Sequence, residues 1–169
     1  MKWLTILALL LAGPATAAVY ELNGMAIGGN EQQVKKAFPS AYCKPLEWAS
    51  TVADRRCDDG KISVGGLPAR ITVYLKADSI QAYSVRFDSK DRDRVIAHLK
   101  SRWGPPAGER TETIAKKSKD GKGKDDRKVF KVNWEKGEER ALFTAQSDRK
   151  RASLDAWRGN FIDEIYKVR

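Results

Sequence analysis

The chain reads as an α+β protein: two helix-plus-antiparallel-hairpin modules forming one mainly antiparallel sheet, with a short C-terminal helix. Three observations carry this. Apolar residues alternate at period two over Arg70–Leu75, Ala82–Phe87 and Arg127–Glu135, the spacing of half-buried strands. Val95, Leu99 and Trp103 recur every four residues, which makes one face of a helix. Short turn signals connect the strands and helices interrupt the hairpins, which favours α+β over βαβ units.

The first residues stand apart. Met1-Lys2 is a positive start, Trp3 to Ala12 is an almost wholly apolar run, Gly13-Pro14 breaks it, and Ala15-Thr16-Ala17 offers small residues for cleavage. This is the pattern of a secretory signal peptide over 1–17, to be kept out of the fold. The run falls short of the about twenty residues that span a bilayer, and no later stretch is long enough. The expected mature protein is therefore a single domain over 18–169, periplasmic or secreted, with no transmembrane segment.

A short extended start over Val19–Leu22 is followed by turn signals at Gly24 and Gly28-Gly29. Asn30 suits a helix N-cap and Gln33 is its capping-box partner. The helix then runs from Glu31 to Phe38, and Pro39 ends it. Asp58-Asp59-Gly60 reads as a turn, Lys61–Val64 as a short strand and Gly65-Gly66 as a turn or bulge. The strand pair that follows puts Ile71, Val73 and Leu75 opposite in face to Arg70, Thr72 and Tyr74. It puts Tyr83, Val85 and Phe87 opposite in face to Ala82, Ser84 and Arg86, with the turn at Ala77-Asp78-Ser79. A second helix covers Asp91–Trp103, stopped by Gly104-Pro105-Pro106. Strands are expected near Arg110–Lys116, Arg127–Glu135, Arg140–Gln146 and Ala152–Trp157, and a closing helix near Phe161–Val168.

Two cysteines, Cys43 and Cys57, lie in the mature part. In an oxidising compartment an isolated pair is a disulfide, and it stabilises a loop of this size by roughly 3 kcal/mol in the chain-entropy picture. The segment between them, with Trp48, has little regular pattern of its own.

The formal net charge is +10, and the basic excess survives removal of a leader carrying one lysine. Such a surface favours anionic partners. Two regions concentrate the charge. Lys116–Lys128 holds seven basic and three acidic residues and reads as a hairpin with a mobile, solvated tip bearing Lys116, Lys117, Lys119, Lys122 and Lys124. The polar strand faces bring Arg70, Thr72, Tyr74, Ser84, Arg86, Lys131 and Asn133 to one side, and Trp157 shares parity with Ser153 and Asp155. Tyr and Arg are residues of binding hot spots. Nucleic acid is not an expected partner, because the lysines lack the interleaved aromatics that stack on bases.

No catalytic constellation and no metal or cofactor motif stands in the sequence. His98 is the sole histidine, so a His-based relay or metal site has no second member. Gly121-Lys122-Gly123-Lys124 lacks P-loop spacing. The pairs Asp58-Asp59 and Asp125-Asp126 read as turn residues.

The string Asn23-Gly24-Met25-Ala26-Ile27-Gly28-Gly29, a short helix with Val34, then Phe38-Pro39 and a cysteine, is echoed by Leu99, Trp103-Gly104 and Pro106 with Trp134 downstream. This arrangement resembles the beta-lactamase-inhibitory-protein family and the small lipoprotein of the outer-membrane barrel-assembly machinery. The resemblance implies a duplicated module (about 23–87 and 88–169) and, from the inhibitor family, a polar sheet surface used for binding. Lipid anchoring does not carry over, since no cysteine follows the leader. The expectation is a non-enzymatic, inhibitor-like binding protein for an acidic protein partner. An envelope protein contacting anionic lipid or cell-wall polymer is the alternative, and an enzyme of unrecognised type the third reading.

Overall fold

A computed structural model describes residues 20–117 and 124–167. The expected leader over 1–17, the tip 118–123 and the end of the expected closing helix lie outside them, as do the side chains of 116–125.

Helix α1 (Glu31–Ala37) forms where its caps dictate. The Asn30 side chain accepts from the Gln33 backbone N–H, and the Gln33 side chain accepts from the Asn30 N–H. This satisfies two of the donors that a helix start leaves open. Val34 and the C-cap residue Phe38 bury their side chains. Ahead of α1 the expected extended start is replaced by a tight turn. Leu22 and Met25 bridge each other, and Asn23 and Gly24 take positive φ.

The strands are β1 (Tyr42–Pro45), β2 (Arg55–Val64), β3 (Leu67–Lys76), β4 (Ser79–Asp88), β5 (Gly108–Lys117), β6 (Lys124–Lys136), β7 (Glu139–Gln146) and β8 (Arg151–Arg158), with helix α2 (Arg92–Trp103) between β4 and β5 and helix α3 (Phe161–Glu164) at the end. All eight form one sheet in the order β1-β2-β3-β4-β8-β7-β6-β5, and every pairing is antiparallel. Two sequence readings are corrected here. Asp58-Asp59-Gly60 is not a turn; it lies inside β2, where the register shifts between Asp59 and Ile62. Such a bulge accommodates turn-type residues within a strand, and the Asp59 side chain accepts from the Lys61 N–H as it would in a turn. Asp125-Asp126 likewise belongs to β6.

The Cys43–Cys57 disulfide is present, and its residues are direct cross-strand partners on β1 and β2. The bridge fastens the short edge strand β1 to the sheet. Beside it Glu31 accepts from Lys35 and Arg55. These partners hold the Glu31 carboxyl below its usual range, the Lys35 hydrogen bond most strongly, although burial opposes them.

One sheet face carries the main core. Val73, Leu75, Val85, Phe87, Val132, Trp134, Phe143 and Leu154 pack there against Val34 of α1 and Val95, Ile96 and Leu99 of α2. Aromatic side chains lock the segment before α1 onto this layer. The Tyr83 hydroxyl donates to the Tyr20 carbonyl, Trp103 Nε1 to the Glu21 carbonyl and Trp134 Nε1 to the Gly104 carbonyl. The Trp103 ring meets Tyr20 at 5.2 Å and Trp134 at 5.6 Å between centroids. Among the described residues no helix is long and apolar enough to cross a membrane.

His98 has a packing role. A Cβ added at Gly65, which sits at φ +57°, would lie 2.6 Å from His98 Nδ1. Gly137, at φ +58°, has open space around it. Gly137→Ala therefore loses only the conformational term, about 1–2 kcal/mol, whereas Gly65→Ala must also displace the imidazole and loses at least about 1 kcal/mol more. Urea titration of both variants checks this, and equal losses would contradict it. Glu31 supplies a pH test. Its folded pKa lies below the ordinary 4.5, so its stabilisation is present above that value and disappears as pH falls through the folded pKa. Glu31→Gln is expected to be less stable than wild type at neutral pH in urea titrations, with the gap closing as pH falls below the ordinary 4.5 and through the folded pKa.

Candidate binding cleft

The face opposite the main core is set by the alternation of every strand and by the register that joins them. Three cross-strand rows run over its centre. The first is Arg70–Arg86–Ser153, the second Thr72–Ser84–Asp155, and the third Tyr74–Ala82–Trp157. The strand periodicity thus brings Arg70, Thr72, Tyr74, Ser84, Arg86 and Trp157 onto one surface, as the sequence predicts.

That surface is not wholly open, and here the sequence expectation is corrected. Helix α3 and the 46–54 loop lie over the third row. Phe161 and Ile165 bury themselves with Ala53 and Ala82, and Trp48, Tyr74 and Trp157 pack against this second cluster. Trp48 donates from Nε1 to the Ile165 carbonyl at 2.8 Å and stacks on Tyr166 at 5.8 Å. Arg56 lies over the Trp48 ring, 6.0 Å from its centroid, and reaches Asp58 at 3.0 Å. Tyr74 meets Phe161 at 5.4 Å. Burial, reinforced by a hydrogen bond with Tyr166, pushes the Tyr74 phenol well above its ordinary pKa. Tyr74 and Trp157 are therefore partly buried and not open contacts. The covering residues are apolar because α3 needs somewhere to bury Phe161 and Ile165, and the alanines and rings of the third row provide it.

What remains is a cleft of about 460 Å³ between α3 and the sheet. Arg70, Arg86 and Arg151 line one end and Phe161, Ile162, Ile165 and Tyr166 the other, with Thr72, Ser84 and Asp155 between them. The middle row is internally bonded: Thr72 Oγ1 donates to Asp58 Oδ1 at 2.7 Å, and Ser84 Oγ donates to Asp155 Oδ1. Arg70 and Arg86 are direct cross-strand partners, and Arg151 starts the neighbouring strand opposite Asp88. Asp88 turns away, accepting from the Lys90 backbone N–H and Nζ. None of the three arginines has a carboxylate partner among the described residues.

The remaining candidates fall elsewhere. Lys131 and Asn133 lie on the same face but on β6, and with Trp157 they border a separate hollow of about 250 Å³ and not the cleft. There the charge is largely spent. Lys131 Nζ donates to Glu112 at 2.9 Å and Arg110 to the same carboxylate at 2.8 Å, which lowers the Glu112 pKa, the Lys131 hydrogen bond first. Lys119 and Lys122 lie outside the described residues, and the side chains of Lys116, Lys117 and Lys124 do too. The β5–β6 hairpin that carries them is formed, from Gly108–Asn133 out to Lys117–Lys124. Arg151 and Asp155 were missed as site residues. Both share parity with Trp157, but only the β4–β8 register shows that Asp155 lies opposite Ser84 and that Arg151 starts β8 just beyond the Arg86–Ser153 pair.

The only metal-ligand grouping found among the described residues is Glu31 with Cys43 and Cys57. Its sulfurs are consumed by the disulfide. No family model matches the chain, and neither a curated protein nor a solved structure matches it.

Like charges directly opposed across strands destabilise a sheet, by up to about 1 kcal/mol. Arg86→Gln is accordingly expected to raise the melting temperature by about 1–4 °C at low ionic strength, with the gain shrinking as salt screens the wild-type repulsion. Thermal melts at two salt concentrations check it. A lower melting temperature in the variant would mean that Arg86 has a stabilising partner.

Proposed function

We propose that this protein is a non-enzymatic binding module of inhibitor-like type that takes an acidic protein partner on the polar face of its sheet. One observation carries the reading: Arg70, Arg86 and Arg151 line one end of a cleft, and none of them is ion-paired with a carboxylate among the described residues. Clustered like charge is unfavourable to the free protein and becomes favourable only when an anion arrives. The hydroxyl row and aromatic wall add the hydrogen-bonding and apolar contacts that binding sites combine. No chemical step is part of the proposal.

An exported location belongs to the same reading. The Cys43–Cys57 bridge suits an oxidising compartment, and the 1–17 segment has the composition of a leader. The finer architecture that we propose is two fused modules, about 23–87 and 88–169. Its support is the strand order, in which β1 to β4 and β5 to β8 are each preceded by a helix and meet at β4–β8. The resemblance to the inhibitor family points the same way.

The test is capture of acidic envelope proteins and, in parallel, of polyglutamate and anionic vesicles. The wild-type protein is compared with the triple variant Arg70→Gln/Arg86→Gln/Arg151→Gln. Polyglutamate and acidic proteins are expected to bind wild type, to be released by about 0.5 M salt, and to be largely lost from the variant. Binding indifferent to both salt and the three substitutions would overturn the proposal. Capture of vesicles alone would replace it with the lipid-surface reading.

A further inference from the structure

The cleft is graded. Moving along β3 from Arg70 through Thr72 to Tyr74, and antiparallel to it along β4 from Arg86 through Ser84 to Ala82, the surface passes from guanidinium to hydroxyl to aromatic. Successive same-face residues on a strand are about 7 Å apart, so the cationic and apolar ends stand about 13–14 Å from one another. The apolar end is only partly closed. Ile162 is 47% exposed and Tyr166 is 70% exposed, while Phe161 and Ile165 beneath them are buried. The middle carries a carboxylate, Asp155, which repels an anion and accepts N–H groups. The anion is thereby confined to the arginine end.

From this gradient we propose that the cleft takes an extended segment of the acidic partner, with an Asp or Glu carboxylate among Arg70, Arg86 and Arg151 and an apolar side chain four residues away against Ile162 and Tyr166. The inference rests on the acidic-partner reading above and adds the form of the ligand. The spacing follows from the geometry, since four residues of extended chain cover about 13 Å. Arginine is the side chain suited to a carboxylate, because its planar fork donates two parallel hydrogen bonds. The central row decides between a peptide and a hydrocarbon chain. A peptide backbone brings N–H groups to Asp155 and carbonyls within reach of the row. An acyl chain laid over Thr72, Ser84 and Asp155 would desolvate them and return no hydrogen bond.

The probe is a fluorescently labelled, end-blocked pentapeptide with glutamate first, phenylalanine fifth, and serine and glycine between. Its anisotropy is titrated with wild type, with Arg70→Gln/Arg86→Gln and with Ile162→Ser, whose substituted side chains are exposed in the free protein. Thermal melts confirm that each variant is folded. Replacing the glutamate by glutamine, or using the arginine variant, is expected to weaken binding about tenfold or more. Replacing the phenylalanine by alanine, or using Ile162→Ser, is expected to weaken it about threefold to tenfold. The two apolar changes together should be no worse than either alone, because they remove one contact.

Three results overturn the inference. If polyglutamate binds the face but the phenylalanine and Ile162 are without effect, the cleft does not read a graded segment, and the acidic-partner reading survives. If neither polyglutamate nor the pentapeptide binds, both fall. If dodecanoate binds as tightly as the peptide, with the same dependence on the arginines and Ile162, the occupant is a lipid anion and not a protein segment.

Discussion

The pairing of β4 with β8 is the constraint on which the rest of the structure depends. It runs in register from Ala82–Trp157 to Asp88–Arg151 and joins strands far apart in sequence. Through it the β1–β4 and β5–β8 meanders become one sheet, with one continuous apolar face for α1 and α2 to cover. Strand side chains have a period of two, so the same pairing also fixes what lies on the reverse side. A slip of one residue would bury Ser153 and Asp155 in the core and expel Leu154. The hydrophobic demand of one face therefore positions the polar chemistry of the other. Ser153 and Asp155 face Arg86 and Ser84 because Leu154 and Val85 must both be inside.

The reverse face is shaped by a second, smaller demand. Helix α3 is a single turn and could not persist alone, because helix nucleation is costly and so short a helix has few bonds to offset it. It is held by burial of Phe161 and Ile165, by the Trp48 indole bonded to the Ile165 carbonyl and by stacking of Tyr166 on Trp48. The loop that carries Trp48 is anchored in turn by β1, which the Cys43–Cys57 bridge fastens to β2. A chain of contacts thus runs from the disulfide, through the 46–54 loop, to the wall of the cleft. The disulfide does more than close a loop: it holds the platform against which α3 docks.

Much of this was legible in the sequence because strong local patterns agreed with the tertiary environment. The Asn30–Gln33 capping box, the alternation from Ile71 to Leu75 and from Tyr83 to Phe87, and the Val95–Leu99 stripe each appear where the sequence placed them. Failures came where one residue type serves two conformations. Asp58-Asp59-Gly60 has turn chemistry but sits at a bulge within β2, where neighbouring strands supply the hydrogen bonds that a turn would otherwise make internally. The polar face was legible as a set of parities and not as a site. Alternation says that Tyr74 and Trp157 leave the main core, but it does not say that α3 returns to cover them. That depends on a segment nearly a hundred residues further along the chain for Tyr74, and no local period encodes it. Arg151 was missed because the expected strand began one residue after it, at Ala152, whereas β8 starts at Arg151.

Net charge is the coarsest quantity in this protein, and the disposition of its ion pairs carries more information. Cations on several surfaces are already matched: Lys35 and Arg55 by Glu31, Arg102 by Glu21, Arg158 by Glu139, and Lys131 with Arg110 by Glu112. Exposed pairs of this kind contribute little stability each, but they quiet the field outside the molecule. Arg70, Arg86 and Arg151 are left unmatched among the described residues, and two of them are set directly across a strand pair from one another. Folding alone gives no reason to place them so, because glutamine or threonine at either position would satisfy the alternation and remove the repulsion. These exposed arginines share one cleft with the apolar wall that α3 supplies at its other end. Charge and an apolar wall coincide in that one cleft, and the proposed binding role rests on their coincidence rather than on the overall basicity.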